Sequence, residues 1–198
     1  MPQIISIVGK SKSGKTTLIE KLIPELKKRS HRIGIIKHAF HHFDIDKKGK
    51  DSWRHKAAGA DTVIVATQGR IAMVKDDDSE NLDHIASYLR DMDLIITEGY
   101  KREKKPKIEI FREAAPHKAP LCDGDETLIA FVTDTDIDLK VPKFGLEDIG
   151  KLADFIEHKY LRYPPAASPL PFPLIPLSHK MNLVSTRVGI QCQSRLLL

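Results

Sequence analysis

The sequence predicts an α/β fold in which a mostly parallel β-sheet is flanked by helices and carries one local antiparallel hairpin. Two observations support this prediction. Short apolar runs rich in β-branched residues alternate with segments of helical periodicity through about residue 160, as expected for successive strand–helix–strand units. The first apolar run, residues 4–8, also leads through a loop with two glycines directly into the first helical pattern, which is the element order of a phosphate-binding loop.

The loop matches the P-loop pattern G-x-x-x-x-G-K-[ST] at every fixed position. Its two glycines let backbone N–H groups point into one concavity, and the following helix turns its positive end to the same side. We expect Lys15 to reach the β and γ phosphates and the Thr16 hydroxyl to bind Mg²⁺. This motif predicts a P-loop NTPase, against the alternative of an ordinary strand-to-helix turn. The predicted nucleotide contacts are Gly9, Lys10, Ser11, Lys12, Ser13, Gly14, Lys15, Thr16 and Thr17.

The elements that follow are predicted from the spacing of apolar residues. An amphipathic helix of about 15 residues is predicted by the stripe Leu18, Ile19, Leu22, Ile23 and Leu26. Pro24 lies within it and is expected to kink its second half. Residues 32–37 form the second predicted strand. We expect this strand to pair in parallel with the first, through a right-handed crossover.

Later segments continue the alternation of strands and helices. Helices are predicted over residues 51–60, 82–89 and 146–156, and strands over residues 62–66, 70–75, 94–97, 107–111 and 128–132. The turn Thr67-Gln68-Gly69 joins two of these strands, so they are expected to form an antiparallel hairpin.

The chain divides into a predicted nucleotide-binding domain, residues 1–163, and a proline-rich tail, residues 164–198. Six of the 12 prolines lie in residues 164–176, a density that excludes an ordinary helix or central strand. The rest of the tail has no hydrophobic period. We expect a disordered extension, or a non-native end produced by altered reading of the gene.

The basic character of the chain belongs to its tail. Residues 158–198 contain no Asp or Glu and five of the 32 Lys and Arg residues, so 27 basic residues balance the 27 acidic ones in the rest of the chain. We therefore expect no nucleic-acid partner, although a module that uses the tail as a basic arm is one alternative. No apolar run approaches the roughly 18 residues of a membrane span. The two cysteines fit no disulfide framework and a signal peptide has no room before the first strand, so a cytoplasmic location is expected.

A histidine-rich loop follows the second predicted strand and is expected to face the bound phosphates, because ligands gather at the carboxyl ends of parallel strands. Asp44 and Asp46 are candidate Mg²⁺ ligands in this loop, directly or through water. Solvent-exposed carboxylates without a function are an equal alternative. A zinc site at His38, His41 and His42 is disfavoured because no cysteine accompanies them.

Glu98 ends the apolar strand 94–97. A P-loop protein needs a carboxylate at such a strand end to hold Mg²⁺ or to orient water. Asp93 precedes the same strand and is expected at its opposite end. Lys101 and Arg102 follow Glu98 closely and can pair with anions there. The candidate catalytic residues are therefore Lys15, Glu98 and Asp46, and the candidate metal ligands are Thr16, Glu98 and Asp44.

Four stretches together resemble the molybdopterin-guanine dinucleotide biosynthesis protein B (MobB) family: the P-loop, IGIIKHAFHHFDIDKKGKDSWRHKAAGAD, LIITEGYKREKKPKIEIFR and LIAFVTD. The resemblance covers about residues 3–160. It implies a usually dimeric P-loop protein of the signal-recognition-particle and MinD-like class that binds GTP with Mg²⁺ and hydrolyses it slowly. It also implies a partner, the molybdopterin guanylyltransferase that joins GMP to molybdopterin.

The choice of guanine over adenine follows from the resemblance alone, because the sequence contains no N-K-x-D guanine motif. Asp134 is the positional candidate for reading the base, with Asp136 as its neighbouring alternative. A P-loop kinase of a small molecule is the competing function. In that case Asp46 or Glu98 would act as the base toward an acceptor hydroxyl.

Overall fold

The structure is a computed structural model that describes residues 1–39 and 45–161. The strands in this part of the chain are β1 (Gln3–Val8), β2 (Ile33–Lys37), β3 (Thr62–Thr67), β4 (Arg70–Lys75), β5 (Leu94–Glu98), β6 (Lys107–Phe111), β7 (Leu128–Thr133) and β8 (Lys143–Phe144). The helices are α1 (Lys15–Lys28), α2 (Asp51–Ala57), α3 (Leu82–Ala86) and α4 (Ile149–Tyr160), and a single 3₁₀ turn over Ser87–Leu89 continues α3.

Six strands form one parallel sheet in the order β2-β5-β1-β6-β7-β8, and β3 and β4 form a separate antiparallel pair. The predicted α/β class, with a parallel sheet and a local hairpin, is therefore confirmed. β8 was not predicted, because two residues are too short to produce a hydrophobic period. The proline-rich tail lies outside the described residues.

Helices cover both faces of the sheet. Ile5 and Ile7 of β1 pack on one face with α1 and α4, in a cluster that includes the fully buried Leu22 and Leu26. Ile4 lies on the opposite face, in the cluster that contains Leu82 of α3. Each such side chain contributes roughly 1.5–3 kcal/mol when it is fully buried. This two-sided packing explains the continuous apolar runs of β1 and β5.

The predicted direct pairing of β1 with β2 is wrong, because β5 lies between them. Ile96 of β5 is in register with Ile5 of β1 and with Ile35 of β2. The burial of the two strands explains the order: β5 is buried over Leu94–Thr97, whereas β2 leaves Ile35 and Lys37 exposed and occupies the edge. The carboxyl end of β5 is thereby brought next to the P-loop.

Two predicted helix boundaries differ from the structure. α2 ends at Ala57 rather than near residue 60, and Gly59 follows with a φ of +105°, a conformation that favours glycine and stops a helix. α4 begins at Ile149 rather than Leu146. Asp93 lies at the amino end of β5 as predicted, where its carboxylate accepts a 2.6 Å hydrogen bond from the Arg32 N–H. None of the helices in the described ranges is long and apolar enough to cross a membrane.

Candidate nucleotide-binding site

The P-loop leaves the carboxyl end of β1 and curls against β6. Gly9 has a φ of +150° and Gly14 a φ of +96°. A Cβ atom placed on Gly9 would lie 2.5 Å from the Ile110 carbonyl oxygen, closer than real Cβ contacts allow. Glycine at this position is therefore required both by the backbone conformation and by the close approach of β6.

Lys15 begins α1, and its side chain folds back over the loop. Its Nζ donates 3.0 Å hydrogen bonds to the carbonyl oxygens of Gly9 and Lys10. Burial lowers the pKa of Lys15, the charge of Glu98 opposes this effect, and Lys37 and Lys101 lower the pKa further. A bound anion would stabilise the charged form of this partly buried ammonium group.

Glu98 lies directly beside the P-loop. The Thr16 hydroxyl donates a 3.0 Å hydrogen bond to Oε1 of Glu98, and Lys37 Nζ lies 3.5 Å from Oε2. The Glu98 side chain is only 14% exposed. Its position follows from the register of β5, which places Glu98 opposite Ile7 of β1. The structure thus brings together two of the three predicted metal ligands.

A turn after β5 forms the far wall of a cavity at the P-loop. Gly99 and Tyr100 have φ values of +103° and +50°, and the ring of Tyr100 lies 5.0 Å from that of His38. The cavity has a volume of about 520 Å³. Its lining includes Lys10, Lys15, Glu98, Tyr100, Lys101 and Arg102. The four cations in this lining outnumber its three carboxylates, those of Glu80, Glu98 and Glu103, which favours an anionic ligand.

A loop after β6 also contacts the P-loop, and this contact was not predicted from the sequence. His117 Nε2 lies 3.0 Å from the Ser11 carbonyl oxygen, and Lys10 Nζ donates a 2.8 Å hydrogen bond to the Ala119 carbonyl. The same loop is held by the buried carboxylate of Glu109, which accepts hydrogen bonds of 2.5 and 2.8 Å from the backbone N–H groups of residues 121 and 122. No sequence signal reveals this contact, because a Glu within an alternating strand pattern is ordinarily exposed.

The structure does not bring every predicted residue to this cavity. Asp46 accepts hydrogen bonds from the Ser52 hydroxyl at 3.0 Å and from the Lys47 N–H at 2.9 Å, and it is not part of the cavity lining. Its catalytic role therefore stays a prediction. Asp134 accepts a 2.8 Å hydrogen bond from the Glu113 N–H at the end of β7. Asp44, His41 and His42 lie outside the described residues.

Comparison with known families gives one consistent match. The family model described as molybdopterin guanine dinucleotide synthesis protein B matches residues 4–134. A molybdopterin-guanine dinucleotide biosynthesis adapter protein of Haemophilus influenzae is 40% identical over 158 residues, covering 78% of this chain and 88% of the relative. The corresponding adapter protein of Escherichia coli is 41% identical over 161 residues, covering 79% of this chain and 92% of the relative.

Solved structures give the same result. A crystal structure of molybdopterin-guanine biosynthesis protein B has a TM-score of 0.63 and 32% identity, and the match covers 78% of this chain and 97% of that one. The crystal structure of Bacillus subtilis MobB has a TM-score of 0.61 and 26% identity, with 79% and 96% covered. The similarity thus extends over almost the full length of both neighbours.

Proposed function

This chain belongs to the molybdopterin guanine dinucleotide synthesis protein B (MobB) family, and we propose that it is a nucleotide-binding adapter in the synthesis of that dinucleotide. In this proposal the chain binds GTP with Mg²⁺ and hydrolyses it slowly. It assists the guanylyltransferase that joins GMP to molybdopterin. The adapter role is supported by the names of the two bacterial relatives, each of which is matched over most of its length.

The observation that carries the nucleotide-binding proposal is the hydrogen bond between Thr16 and Glu98 beside the Lys15 ammonium group. A hydroxyl and a carboxylate are hard oxygen donors, which suits Mg²⁺, and Mg²⁺ commonly uses few protein ligands plus phosphate oxygens and water. Thr16 would hold the ion directly, and Glu98 would hold it directly or through water. The bound ion would supply positive charge that neutralises the phosphate oxygens.

Lys15 would bind the β and γ phosphates by exchanging its two carbonyl partners for phosphate oxygens. Those carbonyls hold the ammonium group inside the curl of the loop, so a small movement of the side chain is sufficient. Lys15 would stabilise the charge that develops on the phosphates during hydrolysis. Slow turnover is expected of the isolated chain, because efficient hydrolysis also requires a positioned water and commonly an arginine supplied beside the γ phosphate.

The preference for guanine rests on family membership. Asp134 is the proposed base-reading residue: one carboxylate oxygen accepts the Glu113 N–H, and since each carboxylate oxygen has two lone pairs, both oxygens can still accept from a ligand. A carboxylate accepts hydrogen bonds from the N1–H and N2–H groups of guanine, and adenine lacks that pair of donors. This chemistry favours GTP over ATP wherever such a carboxylate faces the base.

A homodimer is the proposed assembly, and the β3–β4 hairpin is the proposed contact surface. Ile64, Ile71 and Met73 are 59%, 73% and 45% exposed. The register pairs Ile64 with Met73 and Ala66 with Ile71, so these four residues share one face of the hairpin. A two-stranded sheet with an uncovered apolar face is only marginally stable in water. A second copy of this face would cover it.

The test is calorimetric titration of the full chain with GTP and with ATP in the presence of Mg²⁺, followed by product analysis. Binding of GTP in preference to ATP, with slow release of free phosphate, supports the proposal. A phosphorylated small molecule in place of free phosphate would instead identify a kinase. The adapter role is tested by adding the chain to a purified molybdopterin guanylyltransferase, GTP and molybdopterin. An unchanged rate of dinucleotide formation would contradict that role.

A further inference from the structure

Arg112, the first residue after β6, lies against the P-loop. β6 pairs with β1 through Val8 and Glu109, and β5 pairs with the other edge of β1. Arg112 therefore reaches the P-loop from the side opposite to Glu98. A Cβ atom placed on Gly14 would lie 3.3 Å from Arg112 Cδ and 3.9 Å from its Nη1. The side chain thus lies beside the last glycine of the loop, where α1 begins.

The guanidinium group has no anionic partner in the part of the chain that the structure describes. Within residues 1–39 and 45–161, its side chain forms no ion pair and no hydrogen bond, and its Nε atom is buried without a partner. Arg29, by contrast, forms ion pairs with three carboxylates, those of Glu25, Asp154 and Glu157. A partly buried charge without a partner is costly. The arrangement therefore fits a site that a bound anion completes.

We propose that Arg112 binds a phosphate group that nucleoside diphosphates and triphosphates share, the α or the β phosphate. This inference rests on the proposed nucleotide-binding function. Lys15 and the Thr16–Glu98 pair lie toward β5 and would bind the γ phosphate and Mg²⁺, whereas Arg112 lies on the β6 side of the P-loop, beside Gly14. A guanidinium group binds phosphate oxygens through two parallel N–H donors. Because diphosphates and triphosphates both carry the α and β phosphates, Arg112 contributes equally to the binding of each.

The experiment measures dissociation constants of the full chain for GDP, GTP and ADP by calorimetry. Arg112→Met removes the charge and keeps an unbranched side chain, and Arg112→Lys keeps the charge. Arg90→Met is the matched control, because Arg90 is exposed at the opposite end of β5. We expect Arg112→Met to weaken GDP and GTP binding by the same factor, about tenfold or more. Arg112→Lys should retain most of the affinity, and Arg90→Met should retain all of it. The thermal unfolding midpoints of all three variants should stay close to that of the wild type.

Each other outcome is decisive. A loss confined to GTP would assign the guanidinium to the γ phosphate and overturn the inference. Wild-type affinity of Arg112→Met for GDP would overturn it too, and would leave the proposed nucleotide-binding function intact. If the wild type binds ADP alone and Arg112→Met weakens that binding, the inference stands and the guanine preference falls. If the wild type binds none of the three nucleotides, both proposals fail. Arg112→Gln replaces Arg112→Met if the latter does not fold.

Discussion

The Thr16 hydroxyl donates a 3.0 Å hydrogen bond to Glu98 Oε1 across 82 positions of the sequence. The contact depends on strand order, because β5 lies between β2 and β1 and ends beside the P-loop. Lys37 of β2 lies 3.5 Å from the other oxygen of the same carboxylate. Three adjacent strands thus place one carboxylate, one hydroxyl and two lysines at a single edge of the sheet.

Replacing Glu98 by Gln is expected to weaken the Mg²⁺-dependent part of GTP binding by about tenfold or more. The amide oxygen can still accept the Thr16 hydrogen bond, but the negative charge that attracts a hard cation is lost. The measurement compares GTP dissociation constants in Mg²⁺ and in EDTA. Glu103→Gln is the control, because Glu103 lines the same cavity. An equal loss of affinity in EDTA would show that Glu98 acts on the fold rather than on the metal.

Replacing Lys15 by Ala is expected to weaken GTP binding by about tenfold to a hundredfold, the usual range for a charge-assisted hydrogen bond to phosphate. The free energy of unfolding should change little, because burial already disfavours the charged form of Lys15. Calorimetry measures the affinity, and urea denaturation measures the free energy of unfolding. Lys27→Ala removes an exposed lysine from the same helix and should alter neither quantity. Normal affinity of a folded Lys15→Ala protein would refute the assigned phosphate site.

The sequence was sufficient to predict the P-loop and the strand that ends at Glu98. Both predictions depend on local patterns, and parallel strands that end at one edge of a sheet bring their terminal residues together. The insertion of β5 between β1 and β2 was not predictable in this way. Strand order depends on how much of each strand the helices bury. The continuous apolar run of β5 indicates burial on both faces, but it does not say which strands lie on either side.

The contribution of β6 was missed for a related reason. Glu109 is buried and binds two backbone N–H groups of a distant loop, although its sequence context is that of an ordinary alternating strand. Arg112 is followed by a polar loop, and its approach to Gly14 arises only when β6 pairs with β1. Asp46 Oδ1 accepts a hydrogen bond from Ser52 at the start of α2, and its role as a ligand or a catalytic residue stays a prediction.

Replacing Gly9 by Ala is expected to destabilise the fold by about 2 kcal/mol or more. The added Cβ would lie 2.5 Å from the Ile110 carbonyl, and the φ of +150° is itself unfavourable for alanine. Gly59→Ala separates the two effects, because Gly59 has a φ of +105° with no atom within 4 Å of an added Cβ. In urea denaturation, Gly59→Ala should therefore lower the free energy of unfolding less than Gly9→Ala does. Equal losses would mean that β6 moves away from the P-loop at little cost.

Replacing Ile71 by Asp is expected to convert the proposed homodimer to a monomer. Ile71 is 73% exposed, so the substitution disturbs no core, but it places a charge in the apolar face that a second copy would cover. Light scattering after size-exclusion chromatography measures the mass. Ala72→Asp is the control, because Ala72 lies on the opposite face of the same strand. A monomeric wild type, or dissociation by both substitutions alike, would contradict this interface.

Replacing Asp125 by Asn is expected to lower stability near neutral pH and to change it much less near pH 2. Hydrogen bonds from the Thr127 side chain and from Lys107 lower the pKa of Asp125 to about 2. Lys107 is 4% exposed, and its Nζ lies 2.9 Å from Asp125 Oδ2. Since the folded state lowers this pKa, the stabilisation is complete above the ordinary pKa of an aspartate, near 4, and is lost as the pH falls through about 2.

The free energy of unfolding of Asp125→Asn should therefore be about 2 kcal/mol lower than that of the wild type at pH 6. This difference should shrink progressively between pH 4 and pH 2. Urea denaturation at pH 6, pH 4 and pH 2.5 measures it directly. Asp123→Asn is the matched control, because Asp123 is exposed in the same turn, and its difference from wild type should be small at every pH. A difference for Asp125→Asn that stays constant across this range would mean that the amide disturbs packing around Lys107, and that ionisation of the carboxyl group does not stabilise the loop.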